Sequence, residues 1–262
     1  MMTPFVLLQF SGEKTLTVLQ GQCTQLVSDL SEGHAPLLAF CDPKGRMFGS
    51  GRLVLHQGVV SLVTPRDQAT TLLKRLQPFL MLSRVTALQS DIDVALQIND
   101  SLQPASSHHG ETTRIGEFGQ TQWVIGDTQT EHSIEADAVR LSSGMGYVRT
   151  FSSELLIPQQ AHYQMLGGVN FKKGCYTGQE VIARLEHLGQ SKKHLWVYQS
   201  NQVINDRELM IDDVSYPIFD SVQTTEGTVA LVLAPVTIES EQLTSVPFEI
   251  TRQVEGQRPI KL

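Results

Sequence analysis

The sequence predicts an α+β fold: a mixed first region followed by an all-β tail. Three observations carry that expectation. Apolar runs with strand character in the first third are interrupted by one clear helical pattern. A glycine-rich turn near residue 178 leads into a second helix. After residue 195 short β-type runs alternate with turn residues.

Taken in order, Phe5–Phe10 reads as a strand. Pro36–Phe40 and Arg46–Leu55 flank Cys41-Asp42-Pro43-Lys44-Gly45, whose Asp-Pro-x-Gly chemistry suits a hairpin turn. Thr64 as N-cap, Pro65 at the first helical position and Asp67 in the first turn open a helix. Ala69, Leu72, Leu73, Leu76 and Leu80 give that helix one apolar face. Ile92, Val94, Leu96 and Ile98 alternate with polar residues, as a half-buried strand does. Asn99–Gly110 is polar, contains Pro104 and reads as a loop, and Gln122–Ile125 resumes as a strand. Leu195–Tyr198, Glu208–Ile211, Thr228–Val236 and Pro247–Thr251 form the tail, for which a small β-barrel or sandwich is the natural reading. The expected division is residues 1–195 and 196–262.

Composition excludes several function classes. With 40% hydrophobic and 18% charged residues the chain is globular rather than disordered. No apolar run reaches the roughly 20 residues of a membrane span, and the N-terminus shows no export leader, so a cytoplasmic protein without membrane contact is expected. Cys23, Cys41 and Cys175 form no CxxC pair, which suits a reducing compartment and argues against both a disulfide framework and a resident iron–sulfur cluster. The histidines show no metal-ligand spacing, and His108 and His109 lie in a polar loop, so no metal is expected. A net charge of −7 repels a phosphate backbone and argues against stable nucleic-acid binding. Without a coiled-coil or a long amphipathic surface, the chain is expected to be a monomer.

One segment stands apart: Gly167-Gly168-Val169-Asn170-Phe171-Lys172-Lys173-Gly174-Cys175-Tyr176-Thr177-Gly178-Gln179-Glu180, continuing to Arg184. Val181, Ile182, Leu185 and Leu188 give the following helix an apolar stripe that Gly189 ends, and Glu180 and Arg184 are spaced for an ion pair. Cys175 lies ahead of the helix N-terminus and beside Lys172 and Lys173, and both features favour a thiolate over the usual thiol pKa of about 8.5. Lys172 to Lys193 holds five Lys or Arg against two Glu, a positive island that suits an anionic ligand. The bland alternative is a cysteine packed in a tight turn beside a solvated basic face.

Lys173–Glu180, KGCYTGQE, resembles the signature of the YgfZ family, relatives of the glycine cleavage T-protein. The likeness extends to Leu156–Gln159, Leu166–Lys172, Leu19–Thr24, Cys41–Arg46 and the set Arg184, His187, Gly189 and Lys193. It covers the chain from about residue 5 to 198 and is most specific at 167–189; the tail resembles the family's terminal barrel only loosely. The resemblance implies a T-protein-like folate-binding fold, with mixed subdomains around a central cavity and a short C-terminal β-barrel. It implies tetrahydrofolate or a derivative as ligand, iron–sulfur enzymes as clients (a tRNA-thiomethylating enzyme among them), Cys175 as the reactive residue, and Lys173, Tyr176, Gly178, Gln179, Glu180 and Arg184 as binding residues.

Two rival readings remain. A folate-dependent aminomethyltransferase would need the T-protein's acidic pair, and Gly49 and Ser50 stand in the aligned positions, with Asp42 explained by its turn. A module that acts directly on tRNA conflicts with the acidic balance. Tyr147, Tyr163, Trp123 and Trp196 read as core before they read as pterin-stacking residues, and Arg140 and Glu154 as ion-pair partners as readily as cavity residues.

Overall fold

The computed structural model describes residues 3–99, 102–108, 110, 112–204 and 207–246. The first sheet is antiparallel and built from β1 (Phe5–Ser11), β2 (Leu37–Cys41), β3 (Met47–His56), β4 (Val59–Pro65) and β5 (Thr86–Gln89), in the order β2-β3-β4-β1-β5. Apart from β5, its strands are buried along most of their length because both faces are covered. Val6, Leu8 and Phe10 point towards α1 (Thr15–Gln22) and α2 (Arg66–Leu82), while Phe5 and Leu7 point into a core shared with the rest of the molecule.

The expected hairpin and long helix are present. The helix start differs in detail: α2 begins at Arg66, Pro65 precedes it, and Thr64 does not cap. β4 runs into α2 without a loop, and the Thr64 hydroxyl is held by the ladder neighbour Ser50, donating to its carbonyl at 2.8 Å. Asp67 does lie in the first turn.

A second sheet follows, with β6 (Val94–Ile98), β7 (Ser107–His108), β8 (Thr113–Glu117) and β9 (Thr121–Ile125) in the order β6-β9-β8-β7. The alternation read over residues 92–98 overstates exposure, because Val94, Ala95 and Leu96 are all buried. The α3 helix (Ile134–Ser142) packs on β6 and was not apparent from periodicity. Its start is nonetheless written in the sequence: the Ser133 hydroxyl accepts from the Ala136 N–H, with Glu135 and Asp137 in the first turn.

The α4 helix (Gln179–Leu188) comes next, and the tail forms the third sheet from β10 (Lys193–Ser200), β11 (Glu208–Ile211), β12 (Val214–Thr224), β13 (Gly227–Pro235) and β14 (Leu243–Thr244). Its order is β11-β12-β13-β10-β14, antiparallel throughout, and among the described residues no ladder joins β11 to β14. β12 was missed because it is polar at both ends, and the expected strand at Pro247–Thr251 lies outside the described residues.

The three sheets meet on buried charge. Arg52 of β3 reaches Glu117 of β8 through Nε (3.0 Å) and Nη2, and Glu117 also accepts from Trp123 Nε1 (3.1 Å), the Phe118 N–H (3.0 Å) and the Tyr147 hydroxyl. Arg140 of α3 pairs with Asp137 (2.9 Å) and with Asp220 of β12 (3.2 Å). A register shift in β12 between Ile218 and Asp220 inserts Phe219 and turns Asp220 inward. Phe5 lies beneath, its ring centroid 4.5 Å from that of Trp123 and 5.7 Å from the Arg140 guanidinium carbon. Tyr147, Tyr163 and Trp123 are fully buried core, as expected.

The early hairpin also fixes the site-bearing loop. Gly178, with φ +85°, precedes α4 against the hairpin turn, where an added Cβ would lie 2.5 Å from the Asp42 carbonyl oxygen. Gly45, with φ +76°, packs reciprocally against Val181.

Two expectations follow. Burial alone would push the Glu117 carboxyl up, but Arg52 and the hydrogen bonds from Arg52, Tyr147 and Trp123 outweigh it and hold the value below the ordinary carboxylate range. Asp137 is held low in the same way against its own burial, chiefly by Arg140. Both groups therefore stabilise the fold fully above the unfolded carboxylate values of about 4, and that contribution is lost as pH falls through their depressed folded values. Denaturant titrations from pH 7 to 3 should show this decline, and Glu117→Gln, which leaves Arg52 buried and uncompensated, should cost about 3–5 kcal/mol at pH 7. Secondly, Gly178→Ala should lower stability by more than about 1 kcal/mol, whereas Gly174→Ala, where a Cβ meets open space, should change it by less than about 0.5 kcal/mol.

Candidate functional site

The segment singled out in the sequence is anchored along Thr24 and Gln25. The Thr24 hydroxyl donates to the Gly168 carbonyl at 2.6 Å, the Asn170 N–H donates to the Thr24 carbonyl at 2.9 Å, and Gln25 Nε2 donates to the Gly167 carbonyl. The chain then turns through Lys172–Thr177 before α4.

Lys173 points inward. Its ammonium donates to the carbonyls of Gln20 (2.5 Å) and Cys23 (2.6 Å), at the C-terminal end of α1, and lies 4.6 Å from the Tyr176 ring centroid. A cation there satisfies carbonyls that the helix leaves open and meets the negative end of its dipole. Burial pushes the Lys173 pKa down, with the neighbouring Cys23 acting in the opposite sense. Tyr176 is buried beneath it, and burial raises its phenol well above the usual range.

Cys175 is exposed, while Cys23 and Cys41 are buried and burial raises both their thiols. Of the two cationic neighbours expected to serve Cys175, Lys173 is committed to α1 and only Lys172 is exposed. Glu180 and Arg184 form the expected i,i+4 pair at 2.8 Å with most of both side chains in water, so the pair contributes little. Of the helix's apolar stripe only Ile182 is fully buried; Leu188 is 84% exposed.

The cavity lies elsewhere. It encloses about 770 Å³ and is walled by the loop carrying Gln25, Leu26, Asp29, Leu30, Ser31, His34 and Pro36, by Leu37 and Arg52 of the first sheet, by Gln103–Ala105 and Phe118 of the second, and by Leu166, Gly167 and Asn170. None of Lys173, Cys175, Tyr176, Gly178, Gln179, Glu180 or Arg184 borders it. The connection is Asn170, whose Oδ1 accepts from the Lys172 N–H at 2.9 Å.

Polar groups in the cavity are few. Arg52 spends three of its five N–H donors on Glu117 and the Ala35 carbonyl, leaving two, and its charge is balanced by Glu117. Among the described residues Asp29 is the one carboxylate on the wall, and it is exposed. His34 has its pKa lowered, first by its partial burial and then by Arg52, with Asp29 opposing. Among the described residues no group of three or more His, Cys, Asp or Glu could hold a metal ion, and no helix is long and apolar enough to cross a membrane.

Other sequence candidates resolve plainly. The Ser50 hydroxyl, where an acidic pair would stand, is buried and accepts from the Val148 N–H at 2.9 Å, while Gly49 packs against Leu72. Arg140 belongs to the buried charge network and Glu154 to an exposed pair with Arg75. Trp196 is partly buried near His194, with ring centroids 4.8 Å apart. The cavity wall itself escaped sequence reasoning: its residues span Gln25 to Asn170 without a common spacing, and only the folded topology assembles them.

Comparison with known proteins places this geometry. No family model matches the chain. The chain is 29% identical over 228 residues to the "tRNA-modifying protein YgfZ" of Enterobacter sp. (strain 638), covering 75% of this chain and 70% of that protein. It is 30% identical over 223 residues to the protein of the same name from Cronobacter sakazakii, covering 73% and 68% respectively. Among solved structures, the glycine cleavage system aminomethyltransferase T from Bartonella henselae superposes with a TM-score of 0.68 at 13% identity, over 96% of this chain and 86% of that one. The fold is therefore T-protein-like, and the sequence likeness is sufficient to assign the lineage: the chain belongs to the YgfZ family.

Proposed function

We propose that the protein binds tetrahydrofolate or a derivative in the cavity, without transferring its one-carbon unit, and assists the assembly or repair of iron–sulfur enzymes. The observation that carries the folate reading is the cavity itself: about 770 Å³ within a T-protein-like fold, with an apolar wall and a few polar groups. The residues present fit such a ligand. Leu26, Leu37, Phe118 and Leu166 offer apolar surface to a ring, and Gln25, His34, Arg52, Gln103 and Asn170 offer polar atoms at the margin. The absence of turnover is supported by Ser50, whose hydroxyl is engaged within the core where an acidic pair would stand, and by a wall whose described residues carry one carboxylate, exposed Asp29. The names of the relatives tie the family to tRNA modification, and that link enters here through the client enzymes rather than through direct RNA binding.

Calorimetry should show saturable binding of tetrahydrofolate, weakened at least about tenfold by Leu26→Trp, which fills the cavity from a half-buried position. Release of ammonia and methylene-folate from an aminomethyl donor would overturn the non-catalytic half. The polyglutamyl form should bind better than the monoglutamate at low salt, through exposed Lys172 next to Asn170. Lys172→Gln should abolish that preference, and equal affinity of the wild-type protein for both forms would remove the role of the basic island.

Alkylation followed by peptide mass spectrometry should label Cys175 well before Cys23 and Cys41, because it alone is exposed. Cys175→Ala should fold normally and fail to rescue iron–sulfur enzyme activity in a strain lacking its own family member. Full rescue would reduce Cys175 to a surface residue without function.

A further inference from the structure

The surface carrying α4 has a character of which the folate reading uses only Lys172. Residues Lys172 to Lys193 carry net +3 against −7 for the whole chain, which leaves −10 for the remainder. Lys44, Lys172, Lys192 and Lys193 are exposed, and none has a carboxylate partner among the described residues. Lys44 joins this face because its hairpin neighbour Gly45 packs against Val181. The helix that the lysines flank in the chain carries apolar residues at helical spacing: Val181 and Leu185 are half-buried and Leu188 is 84% exposed. Ile182 is buried and Val181 packs against Gly45, while Leu188 and the charged side chains of Glu180 and Arg184 face water.

We propose that the α4 face is a docking surface for an acidic, leucine-bearing helix or ridge on a partner protein. Charge complementarity selects the sign of the partner, since an acidic surface is drawn to this face and repelled by the rest of the molecule. The apolar ridge selects protein over nucleic acid. Single-stranded RNA is held by exposed aromatic rings and a run of phosphate contacts, but here Tyr176 is buried and Phe171 is half-buried beside His187. An exposed leucine offers nothing to phosphate, whereas in a protein interface it supplies the desolvated centre within a charged rim. A helix of ten residues, about 15 Å long, supports a small interface and so a transient complex in the micromolar range. The inference is independent of the folate reading, and the two fail separately.

The test uses the full chain and a fluorescent synthetic peptide of about 16 residues, with leucine at i, i+3, i+4 and i+7 and glutamate on its flanks. A scrambled peptide of equal composition and bulk tRNA serve as comparisons. Anisotropy should show micromolar binding of the patterned peptide, at least about tenfold tighter than the scrambled one. Leu188→Ser and the double change Lys192→Glu/Lys193→Glu should each weaken it about tenfold, with unchanged circular dichroism and unchanged tetrahydrofolate affinity. No peptide binding, equal binding of the scrambled peptide, or tRNA binding at physiological salt that the same substitutions abolish would overturn the proposal.

Discussion

Glu117 holds five donors at once, from Arg52, Tyr147, Trp123 and the Phe118 backbone, in a place without access to water. Together with the Arg140–Asp220 pair it links β3, β8, α3 and β12, so one buried electrostatic assembly touches all three sheets. The net gain of such groups over water is small, because each charge loses its hydration on burial. Their effect is geometric: apolar surfaces tolerate sliding, whereas five directional bonds to one carboxylate are satisfied by one arrangement. Trp123, Tyr147 and Phe5 fill the space around the charges and exclude the water that would weaken them.

The cavity inherits its shape from this assembly. Arg52 stands at its wall while its guanidinium is held from behind by Glu117, and Phe118, next in the chain, forms another part of the same wall. A side chain held that firmly presents its remaining donors with little entropy left to lose when a ligand arrives. The exposed thiol lies outside this rigid region, linked to it through Asn170 and Lys172. The cavity wall and the exposed thiol thus lie on different surfaces of one loop.

Much of the fold was legible because local chemistry and tertiary outcome agree. The Asp-Pro-Lys-Gly turn, the apolar face of α2 and the glycine ahead of α4 are each fixed by residues within a few positions of one another. The sequence also singled out the motif loop, but it assigned Lys173 to Cys175 on grounds of adjacency, whereas the side chain crosses to carbonyls some 150 residues earlier. The same limit hid Asp220, which a β-bulge turns inward from a strand with polar ends. It hid the cavity as well, since a void is a property of how sheets fail to touch and leaves no periodicity behind. β12 and α3 lack a clear sequence pattern for different reasons: the strand looks too polar, and the helix is too short for its apolar residues to set a period.

The contact between Gly178 and the Asp42–Gly45 turn brings two main chains together with no side chain between them. Packed side chains damp a small displacement by changing rotamer; two abutting backbones have no such freedom. The hairpin turn and the loop that holds Cys175 are therefore fixed in place by one another. β2 and β3, which form that hairpin, also contribute Leu37 and Arg52 to the cavity wall. One hairpin thus borders the cavity through its strands and the loop of the exposed thiol through its turn.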